Sequence, residues 1–443
     1  MRTESMIAKV PDSPAGHQLR WLLGLLLLAG DGALASDYAH YTPEVRPQVA
    51  GSDEEERTWW RDLAARIGAV SELSVESSSD FRIEAVFTAA KNRRWRFSVT
   101  VEEQSPHRIA QIELQRQYDF KFEIRDATEG DAAVLAEIER RSPIEQGDRS
   151  ICFDRGDDYF AATRFMEDVT VVIASVNGVP AAAGCGALHK VKIGGVLHPI
   201  VSLLHFRVLP EHQRKGLNDE LTGRALSKYQ NRIDGTLSFI EVDNVANQHA
   251  AAYLPNKWTN TVLRLHLPCA ALAGPATGRS ATPADAPAIA EILNSCHERE
   301  ELFVPYGAES LRSRLERAPK QYSWDRVWMT DSCVVGVWPA GESIKVVINF
   351  KGTRIESRRG LVLDYGFMPG AEDELEGVLR AWCARLAESG LDTLAMFTSP
   401  ASPGSELLCL LASHVEPFNV WTPGIPEPPG SAERGIYVDP IYF

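Results

Sequence analysis

The sequence has no Cys-x-x-Cys pair, no metal-ligand spacing, no excess of positive charge and no apolar run long enough to cross a bilayer. Its seven cysteines (Cys152, Cys185, Cys269, Cys296, Cys333, Cys383 and Cys409) are odd in number and scattered. That excludes a disulfide framework and reads as buried thiols in a reducing cytoplasm. Cys296 and His297 are adjacent, but consecutive helical residues do not face each other, so they make no nucleophile–base pair. With 46 Lys and Arg against 60 Asp and Glu, the net charge is −14, which argues against nucleic acid or an anionic membrane as partner. An amine-bearing substrate would instead be attracted. The leucine-rich run Trp21–Gly30, with Arg20 before it and Ala33-Leu-Ala35 after it, imitates a secretory signal peptide. It is too short to span a membrane, and the alternative is a buried first helix.

What is present suits a multidomain globular chain. The 443 residues suggest about three domains, and 44% apolar with 24% charged residues is ordinary for globular protein. Residues 1–17 read as a disordered tail. Residues 18–117 carry two helical patterns, the second at Glu54–Ile67, then strand-like runs at Leu73–Glu76, Phe81–Ala89, Trp95–Glu103 and Arg108–Gln115. An internal repeat follows: Arg125-x-Ala-Thr-x-x-Asp131-Ala-x-x-Leu-Ala-Glu-Ile138 returns as Arg279-x-Ala-Thr-x-x-Asp285-Ala-x-x-Ile-Ala-Glu-Ile292. Similarity at one fixed offset predicts a duplicated domain, with copies at 120–269 and 279–443 and the small-residue linker Ala271–Gly278 between them. Asn177-Gly178 between two apolar runs predicts a tight hairpin.

The chemistry concentrates in Pro199–Tyr229. An apolar strand runs into Val208-Leu-Pro, then Glu211-His-Gln-Arg-Lys-Gly-Leu-Asn218, then an amphipathic helix. A strand feeding a helix through such a loop aims unpaired amides and a positive dipole end at an anion. Gly216 permits close approach, and Arg214 and Lys215 add charge. This loop resembles the acetyl-CoA loop of the GNAT acyltransferase superfamily, with Asn218 where that family has Gly or Ala. The order strand, helix, hairpin, strand, loop, helix, strand, Asn…Tyr helix agrees over roughly 120–268. The region 18–117 loosely resembles the cone-shaped domain of nuclear-transport-factor-like proteins, an accessory module through which copies could associate.

The resemblance implies an α+β/α/β chain: two GNAT-like mixed-sheet domains in tandem behind a small cone-like domain. It implies acetyl transfer from acetyl-CoA, with no metal, to a small-molecule or peptide amine by direct attack. Phe206, Arg207 and Val208 would run beside the pantetheine arm. Gln213, Arg214, Lys215, Gly216, Leu217 and Asn218 would hold the diphosphate, and Asn247 the pantetheine. Tyr253 would protonate the departing thiolate, and His205 or Glu241 (or a water chain) would take the ammonium proton. The rear copy has Gly370-Ala-Glu-Asp-Glu374 where the front copy is basic, which would repel a diphosphate and leave that copy structural. Its expected strands are Arg326–Thr330, Cys333–Val337, Gly360–Phe367, Thr393–Thr398 and a closing Gly435–Phe443. Two rival readings stay open: a non-catalytic acyl-CoA sensor or scaffold, and a small-molecule pocket in the N-terminal domain.

Overall fold

The computed structural model describes residues 7–28, 40–45, 60–61, 63–64, 67–89, 93–156, 158–251 and 256–443. The chain falls into two units, Met1–Lys121 and Phe122–Phe443. In the first, helix α1 (Pro14–Leu28) packs against an antiparallel sheet in the order β1 (Glu72–Ser78), β2 (Arg82–Ala89), β3 (Arg93–Val101), β4 (Ile109–Gln117). Leu19, Leu22, Leu23 and Leu26 of α1 are buried with Phe87, Phe97, Val99 and Ile109. Burying each such side chain is worth roughly 1.5–3 kcal/mol, enough to keep this greasy segment in a protein core. Among the described residues, no helix is long and apolar enough to cross a membrane. The second helix expected at Glu54–Ile67 lies mostly outside the described residues; Trp60, Leu63 and Ile67 belong to the same core.

The second unit is built on one large mixed sheet. Its front half runs β5 (Phe122–Asp126), α2 (Ala132–Arg141), β6 (Ile144–Gln146), β7 (Arg149–Asp154), β8 (Asp168–Val176), β9 (Val179–Ile193), β10 (Val196–Val208), α3 (Leu217–Ser227), β11 (Gly235–Glu241), α4 (Val245–Ala251) and β12 (Lys257–Pro268). The rear half runs β13 (Arg279–Ser280), α5 (Ala286–His297), α6 (Ala308–Arg317), β14 (Val327–Met329), β15 (Cys333–Trp338), β16 (Lys345–Phe350), β17 (Thr353–Phe367), α7 (Glu372–Glu388), β18 (Thr393–Thr398), α8 (Ser405–Leu411) and β19 (His414–Trp421). Asn177 and Gly178 both take positive φ (51° and 81°), as a tight primed turn between β8 and β9 requires.

The repeated motif makes the same local structure twice. Arg125 reaches the Asp131 carboxylate with two N–H groups at 2.9 and 2.6 Å, and Asp131 accepts the Thr128 amide at 2.8 Å. Arg279 reaches Asp285 at 2.8 and 2.6 Å, and Asp285 accepts the Thr282 amide at 2.8 Å. In each case the carboxylate joins the strand to the turn that opens the following helix.

Across the sheet the order is β13-β14-β15-β17-β18-β12-β19-β11-β10-β9-β8-β5. The two halves therefore exchange their last strands. β12 leaves the front half to pair antiparallel with β18, and β19 leaves the rear half to pair antiparallel with β11. β12 and β19 also pair with each other, closing the seam. A small sheet, β6-β7-β16, continues into the first part of the long β17. One expectation is corrected here. Gly435–Phe443 is not a strand: it makes one bridge, Ile436 to Glu301, and a short turn at Pro440–Tyr442. The closing strand is β19, because β11 offers it a free edge in the front half.

Candidate active site

The site grows out of a gap in the sheet. β10 and β11 are parallel, yet they pair at only three positions, Ile200–Gly235, Val201–Thr236 and Ser202–Leu237. Beyond them β11 turns to β19, and β10 keeps only β9. The strands splay, leaving a wedge with one open backbone edge of β10. Phe206 on β10 and Glu241 on β11 each stand four residues past the last rung. At ~3.3 Å per residue that is roughly 13 Å into the wedge, less what a bulge takes up.

That bulge lies on β10. Leu204 pairs with Cys185 and Arg207 with Ala183, so His205 and Phe206 share one partner residue, Gly184. His205 has φ 56°, a left-handed conformation that costs on the order of 1–3 kcal/mol for a non-glycine residue. The ring of Phe206 lies over Gly184, where an added Cβ would come within 2.6 Å of it, so only glycine fits. The bulge re-aims the β10 backbone at the level of the open edge.

Buried charge holds the bulge from behind. Arg155 (4% exposed) and Glu139 (1%) are paired at 2.5 Å, and Arg155 donates a second N–H to His205 Nδ1 at 3.1 Å. Desolvation first, then the fields of Arg155 and Arg207, hold His205 well below the usual histidine range. It is neutral, its Nδ1 is an acceptor, and its proton therefore sits on Nε2. As placed, His205 is a hydrogen-bond donor and not a base.

At the mouth of the wedge, Pro210–His212 forms one turn and Gly216 (φ 92°) caps α3. Arg214 is also left-handed, at φ 61°. Among the described residues no side chain caps α3; the Asp219 amide donates to the Gly216 carbonyl at 3.1 Å, which leaves the amides of Leu217 and Asn218 at the helix start for an anion. Gln213 turns back to donate to the Val208 carbonyl at 3.1 Å, tying the loop to the end of β10. Leu217 is buried and anchors the helix, while Arg214, Lys215 and Asn218 are exposed. Arg207 donates to the Phe206 carbonyl at 2.9 Å, and its other end lies 3.8 Å from Glu139.

Glu241 is buried at the far wall. It accepts hydrogen bonds from Gln146 and, at 2.8 Å, from Arg149. Burial and the nearby Glu416 raise its pKa, the direction a proton acceptor for an ammonium group needs. Glu416 is held by Arg264 at 2.5 Å and His266 at 2.9 Å. Burial opposes the Glu416 charge, but the His266 hydrogen bond and the Arg264 field overcome it and keep its pKa low. Asn247 is exposed on α4, its amide donating to the buried Asn244 at 3.1 Å. Tyr253 lies outside the described residues.

Sequence reasoning missed Glu139, Gln146, Arg149, Arg155, Arg264 and Glu416. The available signal was charge inside apolar segments: Arg264 and His266 alternate with leucines on β12, and Glu139 continues the stripe of Leu135 and Ile138 on α2.

The rear half has the same splay but fills it. β17 and β18 are parallel only over Arg359–Thr393, Gly360–Leu394 and Leu361–Ala395. Past them, buried His297 donates to the Tyr365 carbonyl at 2.6 Å and its other nitrogen meets Glu300, which is bound by Ser402. The Ile436 amide donates to Ser399 at 2.8 Å. The first turn of α7 carries Glu372, Asp373 and Glu374, the last bound by Thr330.

By sequence, no protein-family model and no curated protein matches the chain. By fold, it is similar to N-myristoyltransferase of Saccharomyces cerevisiae with bound myristoyl-CoA: TM-score 0.51, 11% identity, 72% of this chain and 89% of that one. The same enzyme with myristoyl-CoA and inhibitors gives TM-score 0.52 and 11% identity over 76% and 89%. A GCN5-related N-acetyltransferase from Kribbella flavida gives TM-score 0.38 and 16% identity over 68% and 71%. At these identities the likeness to N-myristoyltransferase is one of fold: a mixed α+β architecture around one large mixed sheet.

Proposed function

We propose that this chain is an acyl-CoA-dependent N-acyltransferase working at the front wedge, with the rear half as a structural partner. The observation that carries the reading is the junction of three features: an open strand edge, a bulge, and an uncapped helix N-terminus beside Arg214 and Lys215. The open edge of β10 from His205 to Val208 takes the pantetheine arm as an added strand. The first amides of α3 take the diphosphate. Amides at the bulge polarise the thioester carbonyl, and the His205 Nε2–H is a second donor within the same region.

On the opposite wall, Glu241 receives the proton of the incoming ammonium. The amine nitrogen bonds to the carbonyl carbon, the carbon–sulfur bond breaks, and the sulfur leaves as thiolate. Tyr253, on the segment after α4, supplies the proton that turns it into the thiol. Holding both substrates in one wedge provides most of the acceleration. The filled rear wedge and its acidic turn support a structural role for that half. The fold shared with a myristoyl-CoA enzyme supports an acyl-CoA co-substrate, and acetyl-CoA is the first acyl donor to test.

The test is calorimetric titration with acetyl-, octanoyl- and myristoyl-CoA, followed by thiol release with amines. Arg214→Glu with Lys215→Glu should weaken binding at least tenfold at low salt and less at 0.5 M salt, where screening shortens the field. Wild-type protein that binds none of the three coenzymes, or an equal loss at both salts, refutes the reading.

A further inference from the structure

Around Glu241 the charges do not balance. The chain brings three guanidinium groups, Arg149, Arg264 and Arg359, to two carboxylates, Glu241 and Glu416. Arg149 lies 2.8 Å from Glu241 and 3.5 Å from Glu416, and Arg264 takes the other Glu416 oxygen at 2.5 Å. His266 adds no charge, because burial pushes its pKa down to about 4. His414 touches Glu416 from the exposed side at 3.4 Å. Both carboxylates are thus engaged, and Arg359 is left over.

Arg359 stands on β17 opposite Thr393, at the first of the three rungs shared with β18, near Arg264, Glu416, Arg149 and Glu241. Its Nε is buried and has no hydrogen-bond partner among the described residues. Burial first, then the neighbouring Arg264, lower its pKa to about 10 against the opposing pull of Glu416 and Glu241. A guanidinium whose Nε is buried and unpaired carries a desolvation cost that a methionine or leucine at the same place would not. It makes sense as one side of a contact completed by a ligand. A carboxylate matches its planar fork.

We infer that the acceptor is an amine that itself carries a carboxylate, an amino-acid-type substrate whose ammonium meets Glu241 and whose carboxylate meets Arg359. The inference rests on the proposed acyltransferase reading, since Glu241 marks the acceptor side of the same wedge. One acceptor then meets both ends of the cluster: its ammonium gives its proton to Glu241, and its carboxylate neutralises the surplus cation. The acyl group leaves the product without its ammonium charge, so the product is held at the arginine end only and departs more readily than the substrate.

The experiment compares matched pairs in a thiol-release assay with acyl-CoA: glycine, β-alanine, γ-aminobutyrate and leucine, each against its carboxamide. The three unbranched acids report the spacing between amine and carboxylate. At least one acid should show kcat/KM tenfold or more above its carboxamide. Arg359→Met should remove that preference by raising KM for the acid, leaving the carboxamide rate and the acyl-CoA affinity within twofold. A melting curve matching wild type shows that the variant is folded. Arg359→Lys, which keeps charge without the fork, should recover part of the preference. Acyl-CoA binding with equal rates on acids and carboxamides overturns this inference and leaves the acyltransferase reading standing. Loss of both acceptors alike in Arg359→Met also overturns it. Absence of acyl-CoA binding by the wild type sinks both.

Discussion

Replacing Glu139 by Leu should be among the most damaging single changes in the chain, and replacing Arg155 as well should undo most of the damage. At 2.5 Å the attraction within this pair is roughly 7 kcal/mol at an effective dielectric of 20. Desolvating two ions that are 1% and 4% exposed cancels much of it, so the net worth of the pair is small. Breaking the pair is another matter. Glu139→Leu leaves Arg155 buried beside Arg207 and His205 with no carboxylate, at a cost of about 3–5 kcal/mol. Arg155→Met should fall at the lower end of that range, because Arg207 remains 3.8 Å from Glu139. Glu139→Leu with Arg155→Met replaces the ions by apolar groups of similar volume and should lie within about 1–2 kcal/mol of wild type. Urea unfolding of the four proteins closes the cycle, with an expected coupling of at least about 3 kcal/mol. Single variants that each cost under about 1 kcal/mol, or costs that add, would refute the account of a buried pair bracing the bulge.

Three further outcomes are expected. His189 is stacked on Tyr442 and its pKa is pushed by burial from 6.5 down to about 4, so folding favours its neutral form. Its contribution is complete above pH 6.5 and lost as the pH falls toward 4, by about 1.4 kcal/mol per pH unit; His189→Gln should flatten the acid limb of a stability–pH curve by that slope. A Cβ on Gly336 would sit 1.8 Å from the Tyr322 hydroxyl, so Gly336→Ala should cost ~1–3 kcal/mol in denaturant melts, and Tyr322→Phe in the same chain should recover part of it. The acidic first turn of α7 favours its helix dipole, so Glu372→Lys with Asp373→Lys should destabilise by roughly 1 kcal/mol, shrinking at high salt, without creating acyl-CoA affinity in the rear half.

Local chemistry was legible in the sequence, and long-range placement was not. Thr393–Thr398 was read with its observed ends, and the four strands of the first unit were found to within two residues at each end, because short-period patterns fix them. Asn177-Gly178 and the positive φ of Gly216 follow from backbone sterics that only a few residues satisfy. The helix that carries Asn247 begins at Val245, and the buried Asn244 side chain just before it accepts the Asn247 amide. Nothing in β12 or β19 says which half it will join. Both are apolar, alternating strands, and only the free edges of β18 and β11 decide. The same limit hid the charge cluster: Gln146 and Arg149 share one hairpin, and Glu241, Arg264, Arg359 and Glu416 come from four further segments, each unremarkable alone.

The strand exchange also makes the two halves mutually dependent. A fragment ending in the linker Ala271–Gly278 would carry β12 with no neighbour and leave an edge of β11 bare. Its counterpart would have the converse defect. Neither piece should be soluble by itself, while the pair made together should reassemble, so the long sheet melts in a single step and the gene tolerates a cut there better than a deletion.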